Sequence, residues 1–264
     1  MPTLQDNQSL RYPRILCLHG GGTNKRIFRA QCRSLSRALR PYFRLVFAQA
    51  AFPAGPGPDV TSVYADYGPF CAWLVQKREE HEDYDNDNDN DRPRQHRREI
   101  LESILQAIEE DTAAGATGEF IGVLGFSQGA RIAASLLLHG QQQTHLFEQS
   151  CGQVLLPRWR FGILLAGRGP VETLLSSDDD HDDDAAKPEG TKLERIRIPT
   201  AHIHGLQDPN LHLHRAFLHE NFLSTTSRVV EWDGHHRVPI KTQDVMVVRD
   251  QILELARESG YFVQ

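Results

Sequence analysis

The chain is poor in cysteine and has no excess of positive charge. Its 264 residues include four cysteines and carry a formal net charge of −6. Cys17, Cys32, Cys71 and Cys151 form no C-x-x-C pair, which argues against a zinc ribbon or a thioredoxin-like motif. We expect them to be free thiols, mostly buried. A nucleic-acid-binding surface needs concentrated basic residues, so we expect no nucleic-acid partner.

Long apolar runs are also missing. The N-terminal segment MPTLQDNQSLRYPR lacks the apolar stretch of a signal peptide. No run approaches the roughly 18 apolar residues that a membrane span requires. We therefore expect a cytoplasmic protein without a membrane span. The length is typical of one α/β domain covering residues 1–264.

Short apolar runs alternate with helical patterns along most of the chain. We predict strands at Arg14–Leu18, Phe43–Phe47, Phe120–Leu124, Phe161–Leu165, Thr200–Ile203 and Arg228–Trp232. We predict helices at Ile27–Leu39, Ile100–Ile108, Gln128–Leu138 and Val245–Ala256. Because strands buried on both faces have continuous apolar sequences, this alternation predicts an α/β fold. Its central sheet should be mostly parallel, with helices on both faces.

Two acidic stretches interrupt this pattern, one near residues 77–98 and one near residues 176–190. Neither has enough apolar side chains to offset the entropy lost on ordering, so we predict flexible surface insertions. The alternating Asp-Asn tract of the first stretch does not fit a calcium-binding EF-hand loop. Counted from Asp85, position 6 is Asn90 instead of Gly and position 12 is His96 instead of Glu.

The residues Gly125-Phe126-Ser127-Gln128-Gly129 form a G-x-S-x-G motif. An apolar predicted strand precedes the motif and a helix of small residues follows it, which is the context of a nucleophile elbow. In such an elbow the serine hydroxyl stands above the sheet, near the N-terminus of a helix, where developing negative charge is stabilised. Ser127 is therefore our candidate nucleophile.

A serine nucleophile needs a general base, and the base needs an orienting carboxylate. In this type of fold they follow the serine in the order acid, then histidine. Asp208 follows the predicted strand at Thr200–Ile203 and is the favoured acid; Asp233 is a less favoured alternative. His235 and His236 both lie in the loop after the next strand, and local reasoning leaves the choice between them open.

Acyl transfer also requires hydrogen-bond donors for the oxyanion. The backbone N–H of Gln128, directly after the nucleophile, is one candidate. The run His19-Gly20-Gly21-Gly22 follows the first predicted strand and matches an HGGG-type loop, so the Gly21 N–H is the second candidate.

The remaining histidines and aromatic residues permit weaker hypotheses. His202 and His204 form one His-x-His pair and His212 and His214 form another, but no Cys or Glu cluster accompanies them, so we expect no metal and no cofactor. Aromatic residues before the first acidic stretch line a substrate pocket or belong to the core, and the sequence does not decide which. They are Phe52, Tyr64, Tyr67, Phe70 and Trp73.

Four segments together resemble the fungal serine hydrolase (FSH) family of α/β-hydrolases. They are ILCLHGGGTN at Ile15–Asn24, GFSQGA at Gly125–Ala130, HIHGLQD at His202–Asp208 and GHHRVP at Gly234–Pro239. The family's catalytic histidine stands three residues before a proline, which implies that His236 is the base. The chain departs from the family where an Asp-Ala-Pro-like segment is usual, because it has FAQAAF at residues 47–52. That departure leaves the pocket wall, and hence the substrate, open.

The resemblance implies hydrolysis of a small-molecule acyl ester or thioester through a Ser127–Asp208–His236 triad. Members of the family include esterases and thioesterases of polyketide pathways. The resemblance therefore implies release of a polyketide acyl chain from an acyl carrier domain in secondary metabolism. A small carboxylesterase or acyl-protein thioesterase is the alternative within the same chemistry. A non-catalytic α/β-hydrolase that acts as a binding protein is the alternative of a different class.

Overall fold

The computed structural model describes residues 9–58, 60–75, 92–146, 156–171, 174 and 194–261 of the chain. Cys151 and most of both predicted acidic insertions lie outside these residues. Cys17, Cys32 and Cys71 are free thiols, and the first two are buried.

Six parallel strands form the central sheet, so the predicted α/β class is confirmed. They are β1 (Arg14–Leu18), β2 (Arg44–Ala48), β5 (Phe120–Phe126), β6 (Phe161–Leu165), β7 (Thr200–Gly205) and β8 (Ser227–Trp232). Their order in the sheet is β2-β1-β5-β6-β7-β8, with every neighbouring pair parallel. The chain first builds outward from β1 to β2 and then returns to β5 on the other side of β1. The carboxyl ends of β1 and β5 therefore flank the point where the winding reverses, which is where open α/β sheets form their sites.

Helices cover both faces of the sheet because each buried strand is apolar on both sides. The helices are α1 (Lys25–Gln31), α2 (Arg33–Leu39), α3 (Thr61–Tyr64), α4 (Arg92–Ala113), α5 (Gln128–Leu146), α6 (Leu211–Asn221) and α7 (Thr242–Glu258). On β1, Leu16 and Leu18 pack into the cluster that contains residues of α4 and α5. Ile15 and Cys17, which alternate with them, pack into the cluster of α1, α2 and α7.

All four predicted helices have different bounds in the structure. The helix predicted at Gln128–Leu138 extends to Leu146, and the one predicted at Val245–Ala256 extends over Thr242–Glu258. The pattern at Ile27–Leu39 is broken at Cys32, whose N–H bonds back to Phe28 and Ala30 and whose φ and ψ of −81° and 4° leave the helical region. The helix predicted at Ile100–Ile108 extends over Arg92–Ala113. Residues 92–98 therefore belong to α4 and not to a flexible insertion. Their side chains are largely exposed, so they carry no apolar periodicity for a sequence pattern to detect.

A two-stranded antiparallel hairpin and helix α6 were not predicted. The hairpin joins β3 (Phe52–Ala54) to β4 (Phe70–Ala72), two strands of three residues that are too short to show a period.

Among the described residues, no helix is both long and apolar enough to cross a membrane.

Candidate active site

Ser127 lies between β5 and α5, at the reversal point of the sheet. Its φ of 53° is in the left-handed region, which an L-residue adopts only when its surroundings impose it. The Ser127 N–H donates to the Leu165 carbonyl at 2.8 Å. A Cβ at Gly125 would lie 2.2 Å from the Gly129 carbonyl oxygen, and one at Gly129 would lie 2.2 Å from that of Leu18. The two glycines of the motif thus permit the sharp turn and the close approach of α5 to β1.

Asp208 lies in the loop between β7 and α6 and is buried, with 4% of its surface exposed. Its Oδ1 accepts the Asn210 N–H at 2.9 Å. Its Oδ2 lies 2.6 Å from His236 Nδ1 and 2.9 Å from His214 Nε2. Burial raises the pKa of the Asp208 carboxyl. The hydrogen bonds from Asn210, His214 and His236 outweigh burial, and the pKa falls below its ordinary value. This carboxyl is therefore ionised.

His236 bridges Asp208 and Ser127. Its Nδ1 faces the carboxylate, and its Nε2 lies 3.0 Å from Ser127 Oγ. Because a carboxylate only accepts, Nδ1 carries the proton of the neutral ring and Nε2 is left to accept from the serine hydroxyl. The hydroxyl, imidazole and carboxylate are thus hydrogen-bonded in series, an arrangement that can remove a proton from Ser127 and stabilise the resulting cation.

The neighbouring alternatives face elsewhere. His235 is exposed, and its Nδ1 lies 3.2 Å from the Gln207 carbonyl. Asp233 is also exposed, and its carboxylate accepts from the Gln207 side chain. The structure therefore brings Asp208 and His236, but neither His235 nor Asp233, into hydrogen-bonded series with Ser127.

The glycine loop after β1 lies against the start of α5. A Cβ built at Gly21 would lie 3.1 Å from Gln128 Oε1, so the two predicted oxyanion residues are adjacent. Gly22 has a φ of 70°, its N–H donates to the Cys71 carbonyl, and its own carbonyl accepts from Gly57. The β3–β4 hairpin and the loop within it therefore support the glycine loop from outside.

Trp73, just after β4, links the glycine loop to the start of α5 through two hydrogen bonds. Its backbone N–H donates to Gln128 Oε1 at 2.7 Å, and its indole Nε1–H donates to the His19 carbonyl at 2.8 Å. The sequence left open whether Trp73 lines a substrate pocket or belongs to the core. Trp73 is fully buried and belongs to the core. Its hydrogen-bonding role has no sequence signal, since its partners lie 54 and 55 residues away along the chain.

Of the other aromatic residues considered for a pocket, Phe52 is buried. Tyr67 is 39% exposed, and Tyr64 and Phe70 are intermediate.

His19 anchors the glycine loop to the segment after β2. The Ala50 N–H donates to its Nε2 at 3.0 Å, so Nε2 is the acceptor and the proton lies on Nδ1, 3.0 Å from Thr23 Oγ1. Burial lowers the pKa of His19 to about 4, against the opposing effect of the Gly20 carbonyl. His19 is therefore neutral near pH 7 and keeps this bond.

Among the described residues, His202, His204 and His212 belong to no group of three side chains that could hold a metal ion. His202 and His204 are buried in β7, with rings 6.2 Å apart, and His202 Nε2 contacts Thr200 Oγ1. His214 instead groups with Asp208 and His236. Ligand atoms around a tetrahedral zinc stand roughly 3.3 Å apart for bonds of about 2.0 Å. The separations of 2.6 and 2.9 Å at Asp208 are hydrogen bonds and do not fit a shared ion.

The chain is similar to proteins of known sequence and of known structure. "Probable esterase azaC" of Aspergillus niger is 46% identical over 260 residues, covering 98% of this chain and 91% of that protein. "Esterase pigG" of Monascus ruber is 46% identical over 269 residues, covering 97% and 95% respectively. The match to the solved structure of SOBER1 from Arabidopsis thaliana covers 92% of this chain and 99% of that chain, at 17% identity and a TM-score of 0.49.

A family model described as serine hydrolase (FSH1) matches residues 9–248, which is most of the chain. The chain is therefore an enzyme of the hydrolase class and belongs to the FSH1 serine hydrolase family.

Proposed function

We propose that this enzyme hydrolyses an acyl ester or thioester through a covalent acyl-enzyme on Ser127. The observation that carries the proposal is the series of hydrogen bonds from Ser127 Oγ to His236 Nε2 and from His236 Nδ1 to Asp208 Oδ2, at 3.0 and 2.6 Å. The names of the two curated relatives, both of which contain the word esterase, support the ester class.

In the first half-reaction, His236 Nε2 takes the hydroxyl proton as Ser127 Oγ attacks the acyl carbonyl carbon. The tetrahedral oxyanion then accepts hydrogen bonds from the backbone N–H groups of Gln128 and Gly21. No intramolecular acceptor engages either N–H within the described part of the chain, so both are available to the substrate. His236 passes its proton to the departing alcohol or thiol, and the acyl group remains on Ser127.

In the second half-reaction, His236 removes a proton from water and the hydroxide attacks the acyl-enzyme. Collapse of the second tetrahedral intermediate returns the proton to Ser127 and releases a carboxylic acid. Asp208 holds the imidazole in the correct tautomer and stabilises its cationic form in both halves, while itself remaining ionised.

The acyl group that we propose is a polyketide chain carried as a thioester on an acyl carrier domain. This part of the proposal rests on the four sequence segments that resemble the fungal serine hydrolases. The partners are then a small acyl ester or thioester substrate and, for the polyketide reaction, a carrier domain.

Active-site labelling and substrate profiling test the proposal together. The full chain and its Ser127→Ala variant would be treated with a fluorophosphonate probe. They would also be assayed on p-nitrophenyl esters and acyl thioesters of graded length, including a carrier-bound thioester. We expect labelling and turnover by the wild type and a loss of about 10⁶-fold in kcat for Ser127→Ala.

Substantial turnover by folded Ser127→Ala would refute the nucleophile assignment. An unlabelled, inactive wild type would instead favour a non-catalytic binding protein. Turnover of free esters without any turnover of the carrier-bound thioester would leave the esterase assignment and overturn the carrier substrate.

A further inference from the structure

The triad mechanism gives no role to His214, although this residue contacts Asp208. It lies on the inner face of α6 and is fully buried, and both of its ring nitrogens are hydrogen-bonded. Nδ1 is 3.0 Å from the Gly167 carbonyl oxygen, and Nε2 is 2.9 Å from Asp208 Oδ2. The side chain therefore connects the loop after β6 to the carboxylate that orients His236.

The partners of His214 determine its protonation. A neutral imidazole has one N–H, but the Gly167 carbonyl can only accept and an ionised Asp208 can only accept. Asp208 Oδ1 accepts the Asn210 N–H and Oδ2 faces His236 Nδ1, and the pKa of Asp208 lies below its ordinary value, so the group is a carboxylate and not a carboxylic acid. Both nitrogens of His214 must therefore donate, and a ring that donates from both nitrogens is an imidazolium.

We propose that His214 is a positioning residue held as a cation, which pairs with Asp208 and sets the pH range in which His236 acts as a base. The inference rests on the proposed function, since it assigns His214 a role toward that same triad. The pair is fully buried, with both side chains at 0% exposure, so its electrostatic interaction is little screened by solvent.

Within the part of the chain that the structure describes, few charged or titratable groups surround His214. The His236 ring is nearly parallel to it, with centroids 5.7 Å apart and 29° between planes. The His204 ring of β7 lies 6.0 Å away on another side. Burial first and the adjacent His214 second lower the pKa of His204 to about 4, so His204 is neutral in the working range and adds no competing charge. Beyond it, Arg215 and Glu231 form an ion pair at the surface.

A cation at His214 predicts the direction in which the pH profile moves when His214 is replaced. A cation beside Asp208 offsets part of the carboxylate's attraction for a proton on His236. Replacing His214 by a neutral side chain therefore makes protonated His236 more favourable and delays its conversion to a base as pH rises. A residue that merely fills space would lower the rate without moving the pH profile.

The test compares full-length wild type with His214→Gln and with His212→Gln as the matched control. His212 lies on the same helix but is exposed. We expect the acid limb of kcat/KM against pH to move upward by about one pH unit in His214→Gln, as a unit charge at this separation implies. We also expect kcat to fall by about 10- to 100-fold with KM nearly unchanged. His212→Gln should match the wild type in each measurement.

A second measurement does not depend on activity or on the variant's folding. In wild-type protein labelled with ¹⁵N-histidine, two-bond ¹H–¹⁵N correlation spectra report which ring nitrogens carry protons. We expect both nitrogens of His214, assigned through its own Cβ, to be protonated at pH 7, while His236 has one unprotonated nitrogen.

An unprotonated His214 nitrogen at pH 7, or an unshifted acid limb in a folded His214→Gln, would overturn the inference even if the wild type hydrolyses esters. Conversely, His214 could be doubly protonated in a protein that neither reacts with the fluorophosphonate probe nor hydrolyses any of the esters and thioesters. That result would overturn the proposed function and, with it, the role of the cation in catalysis. The failure of each proposal therefore leaves a distinct result.

Discussion

The indole of Trp73 donates a hydrogen bond to the backbone carbonyl of His19 at 2.8 Å, across 54 positions of the chain. His19 begins the glycine loop that we propose contributes to the oxyanion site. The same tryptophan also bonds the Gln128 side chain through its backbone N–H, at 2.7 Å. One buried residue of the hairpin region thus fixes the spacing between the two loops whose N–H groups would bind the oxyanion.

Trp73→Phe should impair catalysis more than it impairs packing. The substitution keeps an aromatic ring but removes the Nε1–H, leaving the His19 carbonyl without its indole donor at a cost of about 1–3 kcal/mol. We expect kcat/KM to fall by about tenfold or more, because small displacements of catalytic groups are costly. Steady-state kinetics on one activated ester and thermal unfolding would be measured together.

Trp159→Phe is the matched control for that experiment. Trp159 is also buried, but within the described part of the chain its Nε1 has no hydrogen-bond partner. Its replacement should cost packing without losing an indole hydrogen bond, and kcat/KM should stay close to wild type. Equal losses of kcat/KM in the two variants would contradict the role given to Trp73.

His236→Ala should be far more damaging than His235→Ala. His236 is hydrogen-bonded to both Ser127 and Asp208, whereas His235 is exposed and, among the described residues, its side chain has a hydrogen-bond contact only with the Gln207 carbonyl. We expect kcat/KM to fall by about 10⁴-fold or more for His236→Ala. For His235→Ala we expect a loss of about tenfold or less. A near-normal His236→Ala beside an inactive His235→Ala would show that the wrong histidine had been chosen.

The stability of the fold should decline as the solution becomes acidic. Burial lowers the pKa values of His19, His202 and His204 to about 4, 3 and 4, below the ordinary value of 6.5. Between these values and 6.5 the unfolded chain binds protons that the folded chain does not, so stability rises with pH. The contribution is therefore complete above pH 6.5 and is lost progressively down to about pH 4 for His19 and His204 and about pH 3 for His202.

Urea unfolding measured in steps from pH 7 to pH 4 would test this dependence. Each of the three histidines contributes up to about 1.4 kcal/mol per pH unit over its window, and the lowered pKa of Asp208 adds loss in the same direction at still lower pH. Replacing His202 by Gln should flatten the slope. A free energy of unfolding that stays constant from pH 7 to pH 5 would contradict the prediction.

Gly125→Ala should disrupt the fold around the serine. The added Cβ would lie 2.2 Å from the Gly129 carbonyl oxygen, which belongs to the backbone and cannot rotate away. We expect a loss of about 3 kcal/mol or more in the free energy of unfolding. Gly55→Ala is the control, because a Cβ there meets nothing within 4 Å. It should be neutral or slightly stabilising. Comparable melting temperatures for the two variants would argue against this account of the turn.

The sequence alone determined the architecture and the neighbourhood of the site. Short apolar runs predicted all six strands of the parallel sheet, because strands covered by helices on both faces are rich in apolar residues. The G-x-S-x-G motif between a strand and a helix located Ser127. The position of Asp208 after β7 and of the histidine pair after β8 followed from the order of elements, since parallel strands bring their carboxyl ends to one edge.

Only the tertiary structure decided which side chains meet. Side chains in a loop do not alternate regularly as they do in a strand or a helix. The sequence pattern therefore could not show whether His235 or His236 faces Ser127. The choice came from family resemblance, and the structure then brought His236 to Ser127. Trp73 and His214 carried no local signal for their roles because their partners, the His19 carbonyl and the Gly167 carbonyl, lie 54 and 47 positions away. Hydrogen bonds between such distant groups exist only once the sheet has brought their loops to the same edge.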